Sequence, residues 1–206
     1  MARIAILGWG SLLYDPGCLE IRTPWRRDGP SLPIEFARKS GLGPDGYERT
    51  DRLPYLSLVL YPGEGHITTY WTLSLIPDLE RPPGEAEGAR ENLRRREGCR
   101  IDRVEYLAAP TGPVRPDVPG VDRAIQNWLD SRRTEIDIAI WTNLEPNLNS
   151  QEGLTHDAIS FLEDLRKRGR DKKAEDYVRK APSQTQTPLR NEFRKRFGWT
   201  DVDVGY

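Results

Sequence analysis

The chain opens on an apolar run, Ile4-Ala5-Ile6-Leu7, that breaks at Gly8-Trp9-Gly10. A short apolar run stopped by glycines predicts a buried strand feeding a turn. A turn-rich stretch follows through Asp15-Pro16-Gly17, then an irregular polar stretch from Pro24 to Pro33. Ile34–Ala37 predicts a short strand, and the Gly-, Pro-, Asp- and Arg-rich residues 40–54 predict a surface loop. Leu56–Tyr61 and His66–Leu75, rich in β-branched and aromatic residues, predict two strands. The intervening Pro62-Gly63-Glu64-Gly65 makes them a candidate hairpin.

After a breaker segment at Pro77–Gly84 the period changes. Ala86, Ala89, Arg90 and Leu93 fall on one side of a helix predicted over Glu85–Arg96, with Gly98 at its stop. Ile101–Ala109 predicts a strand and Pro110–Pro119 a proline-rich loop. Val121, Ile125, Trp128 and Leu129 mark an amphipathic helix, and Ile136–Thr142 a last strand. From there the pattern is helical. Leu154, Ala158, Phe161, Leu162 and Leu165 make one stripe, and Tyr177 with Val178 suggest a second helix. Thr187-Pro188, then Leu189, Phe193 and Phe197, then Gly198 give a third: cap, proline at the first position, stripe, glycine stop.

At least five strand candidates and two helices in the first 145 residues, with short turns between several strands, predict the α+β class. The expected architecture is a mixed, mostly antiparallel small sheet or barrel with flanking helices, followed by a C-terminal helical extension. The expected division is a core over residues 1–147, with residues 148–206 packed on it rather than forming a domain of their own.

Composition narrows the chemistry. The 206 residues are 36% hydrophobic and 31% charged. Mean hydropathy is -0.70, and no apolar run approaches the roughly 18 residues of a membrane span. The opening apolar run is too short for a signal peptide, so a cytoplasmic protein with no membrane partner is expected. Two cysteines and two histidines supply neither a disulfide framework nor a metal-ligand set, so no metal is expected. Net charge is -1, yet residues 166–196 carry +8 against an acidic remainder.

Two places could carry chemistry. In Gly8-Trp9-Gly10-Ser11-Leu12, a strand ending in glycines can leave backbone N–H groups open to a carboxylate or phosphate. The plainer alternative is a tight turn with a buried tryptophan. A dinucleotide fingerprint would need a third glycine and a helix, and a nucleophile elbow would need glycine where Leu13 stands. The second place is Glu97, in Arg94-Arg95-Arg96-Glu97-Gly98. It is either a solvated acid among local ion pairs or, if turned into a pocket, a carboxyl whose pKa burial raises toward use as a base and acid. That role requires Arg94, Arg95 and Arg96 to point mostly away from it, because cations lower a carboxyl pKa. Cys18 and Cys99 are expected as small buried residues, and His66 and His156 as surface or locally satisfied histidines. Glu145, after the last strand, is expected to be solvated. The basic C-terminal residues are expected on the outer faces of docked helices.

Taken together, Trp9-Gly10-Ser11-Leu12 at the end of the first strand and Glu97-Gly98 at the end of a helix resemble the γ-glutamylcyclotransferase-like family. That family opens with a strand running into a Tyr-Gly-Ser-Asn/Leu loop, continues with a strand pair, matched here by Leu56–Tyr61 and His66–Leu75, and has a helix ending in a Glu-Gly step before another strand, matched by Ile101–Ala109. The resemblance covers roughly the first 145 residues, with Trp9 where the family has tyrosine. It implies a metal- and cofactor-independent enzyme acting on a small-molecule γ-glutamyl amide or peptide. The substrate's own α-amine closes a five-membered lactam, giving 5-oxoproline and a free amine. It also implies Glu97 as general acid and base. The amides of Gly10, Ser11 and Leu12, with the Ser11 hydroxyl, would hold the substrate's polar end, and Trp9 would line the pocket.

Two other classes stand beside it. One is a small-molecule-binding protein of the same fold without chemistry. The more distant one is a nucleic-acid or acidic-partner module on the basic helices; nucleic acid is disfavoured as a partner. The sequence leaves open whether the chain forms a homodimer.

Overall fold

A computed structural model describes residues 1–22, 24–43, 48, 52–63, 65–78, 86–109, 120–148 and 151–205. The proline-rich loop expected at 110–119, and all of the expected breaker segment except Pro77 and Asp78, lie outside them. The chain is α+β, with seven strands and six α-helices among the described residues. It divides into two compact units, each discontinuous in sequence: residues 1–32 with 68–144, and residues 33–67 with 145–205.

The first unit is built on a mixed four-stranded sheet, ordered β5–β1–β7–β6. Its strands are β1 (Ile4–Gly8), β5 (Tyr70–Leu73), β6 (Val104–Ala108) and β7 (Ile138–Thr142). β1 runs antiparallel to β5, with Ala5 opposite Leu73, and parallel to β7, with Ile4 opposite Ile138. Both its edges are taken and every residue is buried, which is why it reads as an unbroken apolar run rather than an alternating one. Ile4, Ile6, Ile138 and Ile140 share a core with Ala89 and Leu93 of α2 (Glu87–Glu97) and with Leu12, Leu13 and Leu19. Trp71 of β5 instead meets Trp128 of α3 (Val121–Ser131) edge to face at 5.5 Å. Arg26 and Arg132 lie over the Trp71 ring. A four-residue helix, α1 (Ser11–Tyr14), follows β1.

The second unit holds a three-stranded sheet ordered β3–β2–β4, from β2 (Ser31–Ser40), β3 (Tyr55–Leu60) and β4 (His66–Thr68). Three helices accompany it: α4 (Leu154–Lys167), α5 (Lys172–Lys180) and α6 (Pro188–Phe197). Phe36 of β2 packs edge to face on Tyr177 of α5 and Phe193 of α6. The Tyr177 hydroxyl accepts the Leu58 backbone N–H. α6 starts where the sequence placed it, with the Thr187 hydroxyl accepting the Arg190 N–H and Pro188 at the first position.

Several expectations are corrected. Neither sheet closes into a barrel among the described residues. Leu56–Tyr61 and His66–Leu75 do not form a hairpin, because β2 lies between β3 and β4. The second of these runs is also two strands. At Thr69 the chain leaves the sheet direction: its N–H and hydroxyl both donate to the Pro30 carbonyl, and its own carbonyl accepts the Gly29 N–H. A third expectation, a single strand over Ile101–Ala109, gives way to a turn of 3₁₀ helix at Ile101–Arg103 followed by β6. No helix among the described residues is long and apolar enough to cross a membrane.

Candidate functional site

The first unit brings the glycine turn and the helix-end acid to one guanidinium. β1 ends at Gly8, and the chain turns through Gly10, which adopts φ 66° and ψ -132°, a conformation closed to residues with a side chain. α1 follows at once. The first N–H groups of any helix have no intrahelical partner, so the turn presents the Ser11 and Leu12 amides. Trp9 is buried, and the Leu12 side chain belongs to the core; Leu12 can therefore offer a ligand its backbone alone.

α2 approaches the same turn with its C-terminal end. Its apolar side, Ala89 and Leu93, is buried, and one helical step round the cylinder lie Asn92 and Arg96. The buried Asn92 donates to the Cys18 carbonyl at 2.9 Å and accepts the Glu20 N–H at 3.0 Å, fixing the segment after α1. Arg96 does more. Its Nε and Nη2 donate to the Asp15 carbonyl at 3.0 and 2.6 Å, Nη2 also to Ser11 Oγ at 3.3 Å, and Nη1 to Glu97 Oε1 at 3.0 Å. The side chains of Arg96 and Glu97 are only 14% and 16% exposed.

Arg96 therefore reaches Glu97, against the requirement that a catalytic role for Glu97 sets, that all three arginines point mostly away. The other two fulfil it: Arg94 forks onto Glu91 and reaches the Cys99 carbonyl, while Arg95 is exposed. Two effects compete at the Glu97 carboxyl. Burial raises its pKa and is the larger; the Arg96 charge lowers it, and the balance is a raised value. Arg96 is the one hydrogen-bond partner of Glu97 among the described residues, and it takes Oε1. The second carboxylate oxygen is left to accept from a ligand. Such a carboxyl is a stronger base than a solvated glutamate and can bind an ammonium group.

Cys99, half-buried, lies close enough to feel that charge. Burial first, then Glu97, push its thiol up to about 11. Cys18 is exposed, which corrects the expectation of a small buried residue, and both thiols are free. Three or more metal-ligating side chains are nowhere gathered among the described residues.

The other candidates lie in the second unit. Glu145 is exposed, as expected, and its backbone carbonyl accepts from Arg38 at 2.6 Å. His66 and His156 are exposed. His156 has both Glu152 and Ser160 within reach, but both meet Nε2, at 2.5 and 3.2 Å. A nucleophile relay needs the acid on one ring nitrogen and the hydroxyl on the other, so this trio is a surface contact.

The basic segment spends most of its charge locally. Arg168 and Arg170 pair with Glu48, Lys172 with Asp176, Arg179 with Glu175, Arg194 with Asp201, Lys195 with Glu192 and Arg196 with Glu163. An open groove of about 430 Å³ between α4 and α6 is lined by Glu163, Arg166, Lys167, Arg196 and Phe197. Its cations sit in the last turns of both helices, where they answer the helix dipoles.

Sequence reasoning missed Asn92 and Arg96. Their one signal is a spacing of four on the helix, beside the Ala89–Leu93 stripe. Against known proteins, no family model matches the chain, and no curated protein or solved structure matches it either.

Proposed function

We propose that this chain is a γ-glutamylcyclotransferase-like enzyme. It releases an amine from a γ-glutamyl amide or peptide and leaves 5-oxoproline. The observation that carries the reading is the desolvated Glu97 carboxyl, with one oxygen held by Arg96 and the other unclaimed, tied through the same guanidinium to Ser11 of the glycine turn.

In this reading the turn's amides and the Ser11 hydroxyl hold the substrate's polar end, and Glu97 meets its α-ammonium. Glu97 removes a proton, and the freed amine attacks the γ-carbonyl carbon of the same molecule. A ring C–N bond forms as the original amide C–N bond breaks. In all, two protons leave the α-nitrogen and two reach the departing nitrogen, which leaves as an ammonium, so Glu97 ends as it began. No protein nucleophile is required, in keeping with the absence of a relay at His156. Holding the substrate folded turns ring closure into the favoured path, an orientation effect that is large in intramolecular reactions.

The test is to incubate the protein with a panel of γ-glutamyl amines, γ-glutamyl amino acids and glutathione, and to assay 5-oxoproline by mass spectrometry. Product from wild type and none from Glu97→Gln is the expected result; equal product from both would defeat the assignment of Glu97.

The Arg96–Glu97 pair favours a second reading, a protein that binds such a compound without turning it over, because the Arg96 charge works against the rise in proton affinity that burial gives Glu97. A panel member that binds and is recovered unchanged after long incubation would select it. For the nucleic-acid reading, the internal pairing of the basic helices leaves few free charges, and binding that falls steeply with salt would be needed to sustain it.

A further inference from the structure

Arg96 has a second consequence, which rests on Glu97 being the working acid. We propose that Arg96 is a positioning residue that couples the shape of the glycine turn to the proton affinity of Glu97, so that the turn and the acid operate as one device.

The coupling is in the geometry. A guanidinium has five N–H donors in a rigid fork. Arg96 directs them to three places: the Asp15 carbonyl just after α1, Ser11 Oγ at its start, and Glu97 Oε1 on its own helix. The first two bracket α1, whose own backbone bonds include Leu13 N–H to Gly10 and Asp15 N–H to Ser11. The loop is shaped for the arginine stem as well. Gly17, at φ 58°, passes so close that a Cβ there would lie 3.1 Å from Arg96 Cδ. If the turn moves, as when a ligand takes its amides, the fork must shift, and with it the cation that faces Glu97.

Other charges do not obscure the effect. Arg94 is committed to Glu91, and Asp102 in the turn after α2 is paired with Arg100. Asp15 is exposed, and β6 carries only the half-buried Glu105 as a charged residue. β7 has no charged residue. The Cys99 thiol is neutral at physiological pH. Arg96 is accordingly the one charge that lowers the Glu97 pKa among those acting on it.

The experiment is a carbon-13 NMR titration of the glutamate carboxyls in the full chain, with Glu97 assigned through Glu97→Gln, paired with amide exchange at the Asp15 N–H. In Arg96→Gln the Glu97 midpoint moves up, because the opposing cation is gone, and Asp15 exchange accelerates roughly tenfold or more as the turn loosens. In Arg96→Lys the charge returns without the fork. The Glu97 midpoint then falls back toward wild type while Asp15 exchange stays fast. Ser11→Ala removes one tie and no charge; it speeds exchange and, as the fork shifts with the loosened turn, moves the Glu97 midpoint as well, whereas faster exchange with an unmoved midpoint would overturn the coupling. If Arg96→Gln leaves both the midpoint and the exchange rate unchanged, the coupling does not exist. These readouts need no turnover. Failure of every γ-glutamyl compound to yield 5-oxoproline would defeat the functional reading alone, and an unmoved Glu97 midpoint in an active enzyme would defeat the coupling alone.

Discussion

The Glu35 carboxylate of β2 accepts the backbone N–H of Leu189, 154 positions later in the chain, at 3.2 Å. Its other oxygen accepts the Phe36 N–H at 2.7 Å. A carboxylate only 3% exposed thus supplies the acceptor that the first turn of α6 lacks, and it ties that helix to the strand. Glu35→Ala removes both acceptors inside a dry site. The expected cost is about 2–4 kcal/mol, from orphaned donors and the cavity together, measured by urea unfolding with the α6 amides followed by exchange.

Glu97→Gln tests the electrostatics of the candidate site without a substrate. Burial raises the Glu97 pKa in the folded protein. A raised folded value means that the group's favourable contribution is complete below the unfolded pKa and is lost as pH rises through the folded one. Above the ordinary glutamate range wild type carries the cost of burying this acid; glutamine does not, and its oxygen can still accept from Arg96. Glu97→Gln is expected to melt higher than wild type at pH 7.5. The difference shrinks as pH falls through the raised value toward the ordinary glutamate range. Thermal melts of both proteins across that range check the sign.

Arg190 is fully buried, and its guanidinium donates to the carbonyls of Ala181, Pro182 and Thr185 while pairing with Asp201 at 3.0 Å. The fork holds the α5–α6 connection and the segment after α6 in one place. Arg190→Ala should cost about 3–5 kcal/mol, the range for breaking a buried pair. Arg190→Lys should recover little of that, because an ammonium cannot span carbonyls set for a planar fork. Denaturant titrations of the three proteins give the comparison.

The two cysteines should differ in reactivity. Cys18 is exposed, whereas Cys99 is half-buried with its pKa pushed up to about 11, and the thiolate is the reacting form. Iodoacetamide at pH 8, followed by peptide mass spectrometry, should label Cys18 well before Cys99. Glu97 contributes to the Cys99 shift, so Glu97→Gln should speed labelling at Cys99 and leave Cys18 unaffected.

What could be read from the sequence was what is decided locally. The start and stop of α6 are written in Thr187, Pro188 and Gly198, and β1 and β7 in their apolar runs. Glu97 is legible as a candidate because it stands beside a helix-ending glycine. What escaped is decided by distant neighbours. Whether Leu58 pairs with β2 or with β4 is settled by the sheet's strand order, and nothing between residues 56 and 75 encodes it. α1 is shorter than any period that could reveal it. Arg96 looks like one more member of a basic run, and Arg190 like one more charge of the basic C-terminal segment. Yet Arg190, expected on an outer face, is the most buried charge of its helix, and Arg96 owes its role to a carbonyl 81 positions earlier.

The position of β1 also bears on how the first unit is made. Its four apolar residues are synthesised well before their partners, because they pair with β5, which starts at residue 70, and with β7, which starts at residue 138. The Arg3 side chain and backbone are held by Asp137. Everything between β1 and β7 must therefore emerge before this strand has both its partners. During that interval it carries open edges and an apolar face, the state in which nascent chains most readily associate with the wrong strand. Contacts of such long sequence separation also make for slow folding, so the centre of the sheet is translated ahead of its partners and is among the last parts to be completed.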